Sequence, residues 1–319
     1  MTEISGARLR IGLIGWGTVG AALGELLATG PLPVELARVA VRQPARERAR
    51  ALPGGVEIGP VDTLVTDATL DAVVELAGGI DGPLDWARAT LGRGRPLVTA
   101  NKALLATHGD RLARIAGEHP GAALLASASV GGGTPMIETV EHLAATGDIS
   151  RLRGLLNATT TFILSAMAQG RTYDAALAAA QAAGYAEAEP SFDVEGRDAA
   201  QKLAILASVA WGRWRAEREV ETRGIVGLAV EPGRTVRLVA EADREGMRVR
   251  PMELLPGTAM AAATGVEGVL EVEVEGAGTF RVSGPGAGGR VTAGAVYADL
   301  GRLAAGERPI LFAPRGGPS

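Results

Sequence analysis

The 319-residue sequence has no cysteine, three histidines and only 3% aromatic residues. Without cysteine there can be no disulfide, thiolate zinc site, iron–sulfur cluster or cysteine nucleophile. With His108, His119 and His142 alone, a histidine-rich metal site is nearly excluded too. An excess of one charge is also missing: 32 Lys and Arg face 36 Asp and Glu, a formal net charge of −4. That balance argues against a nucleic-acid partner or a polybasic membrane anchor. No apolar run reaches the ~18 residues of a membrane span. Arg8 and Arg10 before an apolar stretch resemble a secretory leader, but Gly12, Gly15, Gly17, Gly20 and Gly24 interrupt it and no cleavage site follows. The expected compartment is the cytoplasm. What is abundant is apolar: 47% hydrophobic residues and a mean hydropathy of +0.17 supply packed cores, and at ~100–200 residues per domain the length suggests two.

Lysine is the scarcest basic residue. Of the 32 Lys and Arg, only Lys102 and Lys202 are lysine. Codon bias accounts for the arginines but not for the two exceptions. Arginine keeps its proton in proteins whereas a desolvated lysine can release it, so both lysines are candidates for proton transfer or a tight ammonium contact.

Along the chain, aliphatic runs at 9–14, 34–41, 72–76, 96–99 and 122–125 alternate with helical segments at 18–29, 44–52, 83–92 and 102–117. Strand–helix alternation predicts a parallel sheet with right-handed crossovers. Helices are then expected over 135–147, 161–184 and 196–210, with Leu203, Leu206 and Ala210 sharing a face. Strands of an antiparallel-looking sheet follow at 225–230, 235–240, 247–252, 269–274 and 279–282. A glycine-rich turn at 284–289 feeds a last helix over 291–304, and 315–319 reads as a frayed tail.

Gly15-Trp16-Gly17-Thr18-Val19-Gly20 follows an apolar strand and opens a helix, the context in which G-x-G-x-x-G signifies dinucleotide binding. Gly15 permits the turn, Gly17 lets the backbone approach a pyrophosphate, Gly20 allows close packing, and Thr18 and Val19 open the helix with N–H donors. A tight β–α turn that binds nothing is the alternative. The second strand ends Val41-Arg42-Gln43, with no carboxylate for a ribose 2′-hydroxyl, whereas Arg42, with Arg46 and Arg48, could meet a 2′-phosphate. NADP is favoured over NAD on this ground, against simple solvation of the arginines.

Thr99-Ala100-Asn101-Lys102 sits past a parallel strand, at the edge where α/β sheets bind ligands, which puts Thr99, Asn101 and Lys102 near the nicotinamide. Farther on, Asp198 and Lys202 are spaced i, i+4 on one helix face. A surface salt bridge would explain the pair. Its apolar neighbours Leu203 and Leu206 suggest a closed cleft instead, where the couple suits a zwitterionic substrate and proton relay.

The chain here resembles homoserine dehydrogenase. The resemblance is carried by Gly15–Gly20, by Thr99–Lys102 with Ala103-Leu104-Leu105, and by Val130-Gly131-Gly132-Gly133-Thr134-Pro135. Asn157-Ala158-Thr159-Thr160, residues 184–206, and Gly284-Pro285-Gly286-Ala287-Gly288-Gly289 with Thr292-Ala293 follow in the family's order. It implies reversible reduction of L-aspartate 4-semialdehyde to L-homoserine by NAD(P)H, in threonine and methionine biosynthesis. By position, Lys202 is the implied proton donor and Lys102 contacts cofactor and substrate. Glu187 and Asp198 bind homoserine with Asp193 nearby, Thr159, Gly184 and Tyr185 complete that site, and Gly286 and Gly288 join the cofactor site. A monovalent cation such as Na+ is implied on backbone carbonyls of Val130, Gly132 and Thr134. Ser127 departs from the pattern, standing where a glutamate is usual, as do Ala158 for glycine and Thr161 for asparagine.

The fold class expected is α/β, a Rossmann-type doubly wound parallel sheet with an inserted mixed α/β substrate and dimerisation domain. Residues 1–129 form the nucleotide-binding domain, completed by 285–319, and 130–284 form the inserted one, giving a homodimer. The sixteen residues 304–319 are too few to build a core, so a short form without a C-terminal ACT domain is expected, with no allosteric response to threonine. Two other classes compete. A different two-domain reductase of small aldehydes or imines should lack the 184–202 block, and a non-catalytic NADP sensor has no use for both lysines.

Overall fold

The computed structural model describes residues 8–41, 52, 54 and 56–313. Arg42, Arg46, Arg48, almost all of the helix expected at 44–52 and the tail lie outside the described residues. The chain divides into two compact units, one reaching to Ser129 and resuming at Gly288, the other spanning Val130–Ala287.

In the first unit, β1 (Leu9–Ile14), β2 (Val34–Ala40), β3 (Glu57–Gly59), β4 (Ala72–Glu75), β5 (Leu97–Thr99) and β6 (Leu124–Leu125) form one sheet in the order β3-β2-β1-β4-β5-β6. Every pairing is parallel. A parallel sheet is covered on both faces, so its central strands are continuously apolar rather than alternating. Ala72, Val73 and Val74 have no exposed surface. The helices are α1 (Thr18–Thr29), α2 (Val61–Thr66), α3 (Asp81–Leu91) and α4 (Lys102–Glu118), joined by α11 (Gly289–Ala304) from the end of the chain. Leu23 of α1 and Val296 and Leu300 of α11 are buried in one core with Ile11, Leu13 and Val98 of the sheet. The strand order reverses between β1 and β4, which sets a crevice at their carboxyl ends. β3 and α2 are additions to the expected elements.

The second unit carries α5 (Met136–Thr146), β7 (Ile149–Leu155), α6 (Ala158–Ala168), α7 (Tyr173–Ala182), α8 (Ser191–Val194) and α9 (Arg197–Trp211). After these come β8 (Val220–Thr222), β9 (Val236–Asp243), β10 (Met247–Glu253), α10 (Ala259–Ala262), β11 (Glu267–Val274) and β12 (Gly278–Pro285). The sheet order is β12-β11-β7-β9-β10-β8. It is mixed rather than wholly antiparallel, because β8 runs parallel to β10. The last strand before the first unit resumes is thus an edge strand. Buried α9, with Leu203, Ile205, Leu206 and Val209, packs on α5 and on β7, β9 and β10.

Two expectations are corrected here, and one strand is new. Residues 225–230 are not a strand: the Ile225 N–H donates to Val194 O (2.7 Å), so α8 takes the donor a sheet would need, and 220–222 pair instead. The helix expected over 161–184 is two helices, broken at Gly170 (φ +92°), with Thr172 capping the second through Ala175 N. β7, at the centre of the sheet, was not expected at all. Its Arg151 and Arg153 both pair with Glu241 of β9, so the strand's exposed face is neutralised by a distant residue and leaves no local apolar alternation.

Candidate active site

At the carboxyl edge of the first sheet, β1 turns at Gly15 (φ +100°), whose N–H donates to Ala40 O (2.9 Å). Gly17 is the N-cap of α1 and makes no side-chain cap. A β-carbon there would meet nothing within 4 Å, whereas one at Gly20 would lie 2.4 Å from Gly15 O. Gly20 is therefore required by the turn, and Gly17 leaves open ground before a helix N-terminus, where first-turn N–H groups have no intrahelical acceptor. A cavity of about 140 Å³ opens beside it, lined by residues including Gly15, Gly17, Ala40, Val61, Leu76 and Trp86. Open space, a glycine turn and oriented donors fit a dinucleotide. Gly288 is the N-cap of α11, and a β-carbon on the next residue, Gly289, would touch the Thr18 side chain at 2.5 Å, so this second glycine run abuts the start of α1. Gly286 belongs to the other unit, and its N–H donates to Val266 O (3.1 Å).

β4 and β5 end on the same edge. Glu75, 1% exposed, accepts from Ala77 N (2.8 Å) and Gly78 N (3.0 Å) on one oxygen and from the Thr99 hydroxyl (2.8 Å) on the other. Thr99 Oγ1 in turn accepts from Asn101 N (3.0 Å). Asn101 caps α4 by accepting from Leu104 N (3.1 Å), and its Nδ2 donates to Gly79 O (2.8 Å). Lys102 is the first residue of that helix.

The second unit gathers the acidic residues. Asn157 caps α6, its Oδ1 accepting from Thr160 N (2.8 Å). Its Nδ2 donates to Asp193 Oδ1 (2.7 Å) and to Asp198 Oδ2 (2.8 Å). The Thr159 hydroxyl lies 2.7 Å from Tyr185 O and 3.2 Å from Asp193 Oδ2, and its one proton serves one of them at a time. Gly196 (φ +87°) turns the chain into α9, which puts Asp198 in the first helical turn, where a carboxylate is favourable. One turn on, Lys202 Nζ donates to Asp198 Oδ2 and to Leu156 O, both at 2.8 Å. The side chains of the pair are 14% and 7% exposed, so this is a sheltered couple rather than a surface salt bridge. Asp193 is pushed above the usual carboxylate value, first by burial and then by the Asp198 charge, against the opposing hydrogen bonds of Asn157 and Thr159.

Of the residues expected from sequence, the substrate residues Asp193, Asp198 and Thr159 converge with the catalytic Lys202, and Tyr185 joins through its carbonyl. Gly184 (φ +75°) and Glu187 lie on an exposed stretch after α7, where the Glu187 carbonyl accepts from Gln181 Nε2 (3.1 Å). The Tyr185 ring rests 5.1 Å from that of Phe162. Asn157 and Glu75 carry much of this geometry and were given no role from sequence. The first is visible in sequence only as part of the Asn157–Thr160 segment, the second as a lone acid ending an apolar strand. In the 130–135 segment, Gly131 and Gly132 have φ of +83° and +61° and Thr134 N donates to Gly131 O (2.9 Å). The Thr134 carbonyl accepts from Met136 N (2.7 Å). Ser127 is held by Asp299, which accepts from its backbone N (3.0 Å) and its hydroxyl (2.6 Å).

A glycine turn at the switch point of a parallel sheet, together with a buried ammonium–carboxylate couple, defines a dinucleotide-dependent oxidoreductase. The sequence profile described as "Homoserine dehydrogenase" matches residues 135–300, and "Homoserine dehydrogenase, NAD binding domain" matches 15–125. The chain belongs to the homoserine dehydrogenase family. The homoserine dehydrogenase of Synechocystis sp. is 35% identical over 314 residues, which cover 92% of this chain and 72% of the relative. The crystal structure of the Thiobacillus denitrificans enzyme superposes with a TM-score of 0.90 at 32% identity, covering 96% of this chain and 77% of the other. A hyperthermophilic archaeal homoserine dehydrogenase in complex with NADPH gives 0.84 at 29% identity, covering 95% and 99%.

Proposed function

We propose that this chain interconverts L-homoserine and L-aspartate 4-semialdehyde, with NADP preferred to NAD and Lys202 moving the proton. The observation that carries the reading is the sheltered Asp198–Lys202 couple. An ammonium has three donors; two of those on Lys202 go to Asp198 and Leu156 O, and the third is available to a substrate oxygen.

When bound, the nicotinamide cofactor supplies or accepts the hydride. Gly15, Gly17, Thr18, Val19 and Gly20 hold its pyrophosphate, while Thr99, Asn101, Lys102, Gly286 and Gly288 complete its site. In the reductive direction negative charge grows on the aldehyde oxygen, and Lys202 Nζ stabilises it and donates a proton. In the oxidative direction Nζ must first be neutral, and then takes the hydroxyl proton of homoserine. The carboxylates of Asp198, Asp193 and Glu187, with Thr159, Gly184 and Tyr185, bind and orient the zwitterionic end of the substrate. Lys102 contacts both cofactor and substrate. Turnover followed at 340 nm with homoserine and each cofactor tests the reading; no turnover with homoserine overturns it.

The NADP preference is supported by the absence of a carboxylate at the end of β2, with Arg42 as the reader of the 2′-phosphate. Arg42→Ala should weaken NADP far more than NAD, and equal loss removes Arg42 from that role. A monovalent cation is assigned to carbonyls of Val130, Gly132 and Thr134. Neutral carbonyl donors suit such an ion, and among the described residues no group of three His, Cys, Asp or Glu offers a divalent site. Exchanging sodium for choline at equal ionic strength should change the KM for homoserine; identical kinetics refute the site. The place in metabolism is the branch leading to threonine and methionine. The chain acts in the cytoplasm as a homodimer associating through its second unit, where Leu255 and Phe280 are exposed apolar residues. Sedimentation at working concentration checks the dimer.

A further inference from the structure

Glu75 has no part in the reaction as derived above, yet it is a carboxylate buried to 1% exposure in the middle of a sheet. It ends β4, and the residues paired with it are Ile14 at the end of β1 and Thr99 at the end of β5. The three residues before it, Ala72, Val73 and Val74, are apolar and fully buried, so an aliphatic residue would suit the strand's packing. A buried carboxylate costs desolvation and persists where several donors converge on it.

The donors converging on Glu75 come from the loop that leaves β4 and from the last residue of β5. One oxygen takes the N–H groups of Ala77 and Gly78 and so shapes the turn after β4. The other takes the Thr99 hydroxyl, which must point its proton at Glu75 and is thereby left to accept from Asn101 N. Asn101 returns to the loop after β4 through Gly79 O and caps the helix that Lys102 begins. That loop, the end of β5 and the start of α4 are thus one hydrogen-bonded ring with Glu75 at its hub.

We propose that Glu75 is a positioning residue for the nicotinamide side of the site, setting the placement of Lys102 and its neighbours through Thr99 and Asn101. The inference rests on the assignment of Thr99, Asn101 and Lys102 to cofactor and substrate. Thr99→Val breaks the ring while preserving side-chain volume, Thr99→Ser keeps the hydroxyl, and Glu75→Gln reverses the polarity at Thr99, because an amide nitrogen must donate where the carboxylate accepted. Misplacing a catalytic group by about 1 Å can cost ~100-fold, and we expect losses of ~10- to 100-fold in kcat/KM per NADPH-binding site for Glu75→Gln and Thr99→Val. The KM for homoserine should stay near the parental value. The primary isotope effect with homoserine deuterated at its reacting carbon should increase, and Thr99→Ser should recover most of the activity. The double variant Glu75→Gln/Thr99→Val should lose little more than the worse single one, since both cut the same ring.

Parental kinetics per binding site in both single variants would overturn the proposal, as would a Thr99→Ser enzyme as impaired as Thr99→Val. If Glu75→Gln fails to fold, Glu75→Asp decides, because it keeps the carboxylate but withdraws it by one methylene from Ala77, Gly78 and Thr99; parental kinetics per binding site in that variant would overturn the proposal. Lys102→Ala, measured alongside, separates the two levels. Loss in Lys102→Ala with parental Glu75 and Thr99 variants overturns this proposal alone, and parental activity in Lys102→Ala overturns the assignment of Lys102 and the role of Glu75 with it.

Discussion

Asp193 and Asp198 are joined by a single amide: Asn157 Nδ2 lies 2.7 Å from Asp193 Oδ1 and 2.8 Å from Asp198 Oδ2, one hydrogen for each carboxylate. The arrangement is asymmetric. Asp198 has Lys202 Nζ at 2.8 Å, while Asp193 relies on Asn157 and a shared Thr159 hydroxyl and takes the cost of burial. One acid is therefore the direct partner of an ammonium, and the other, Asp193, binds its proton more tightly than a free carboxyl does.

This predicts an unusual stability profile for Asp193→Asn. The folded-state pKa of Asp193 is raised above 3.8, first by burial and then by Asp198, so the folded protein binds this proton more tightly than the unfolded chain. Its favourable contribution is full below 3.8 and is lost as pH rises through the raised value. At neutral pH the ionised group is a net cost. The variant should accordingly melt at or above the parental temperature at neutral pH, with the advantage shrinking as pH falls toward 3.8, while homoserine binding weakens. Melting curves across that range check it, and a variant clearly less stable at neutral pH contradicts it.

Glu187 should behave differently, because it lies on an exposed stretch rather than among the converged groups. Exposed substitutions usually change stability by no more than ~0.5 kcal/mol. Glu187→Gln should leave the melting temperature unchanged and raise the KM for homoserine several-fold with little effect on cofactor binding. Unchanged substrate kinetics remove it from the site.

The bounds of β1 and α1 were legible because an apolar run, a glycine turn and a helix follow one another within 21 residues, 9–29. The Asp198–Lys202 pairing was legible from helical spacing, and its shelter from the apolar neighbours Leu203 and Leu206. What could not be read depends on residues far apart in the chain. β7 hides its strand character behind Arg151 and Arg153, whose charges are met by Glu241 on another strand. Ile225 looks like a strand residue until Val194 takes its N–H. Asn157 reaches acids 36 and 41 positions away, and Glu75 reaches Thr99 across 24. No local pattern announces a side chain whose partners are that distant.

The two glycines of the dinucleotide turn should separate binding from folding. A β-carbon at Gly20 would stand 2.4 Å from Gly15 O, a backbone atom that cannot move without reshaping the turn. Gly20→Ala should cost ~1–3 kcal/mol as overpacking does, and cofactor binding with it. At Gly17 there is open space and φ is −80°, which alanine adopts freely. Gly17→Ala should fold with a loss of at most ~1 kcal/mol from poorer capping. Its methyl group would nonetheless occupy the ground left for the pyrophosphate, and NADPH affinity should fall by ~10-fold or more, the equivalent of ~1.4 kcal/mol. Thermal melts with and without NADPH read both effects. Parental affinity in Gly17→Ala would show that the cofactor does not approach there.

Lys202 combines two duties, as counter-ion to Asp198 and as proton carrier, and two substitutions separate them. Lys202→Ala takes the ammonium away from a carboxylate that is only 7% exposed, and breaking so sheltered a pair should cost on the order of 3 kcal/mol. Lys202→Arg keeps a cation beside Asp198 and should recover part of that stability. It cannot restore the chemistry, because a guanidinium does not give up its proton and so cannot become the neutral base that homoserine oxidation needs. Both variants should still bind NADPH, and both should lose ~10²–10⁴-fold in turnover, the range that positioned proton transfer supplies. If Lys202 served only as a counter-ion, Lys202→Arg would regain turnover in step with stability. Melting temperature, NADPH affinity and homoserine oxidation measured on the same preparations decide it: an active Lys202→Arg enzyme would place the proton donor elsewhere.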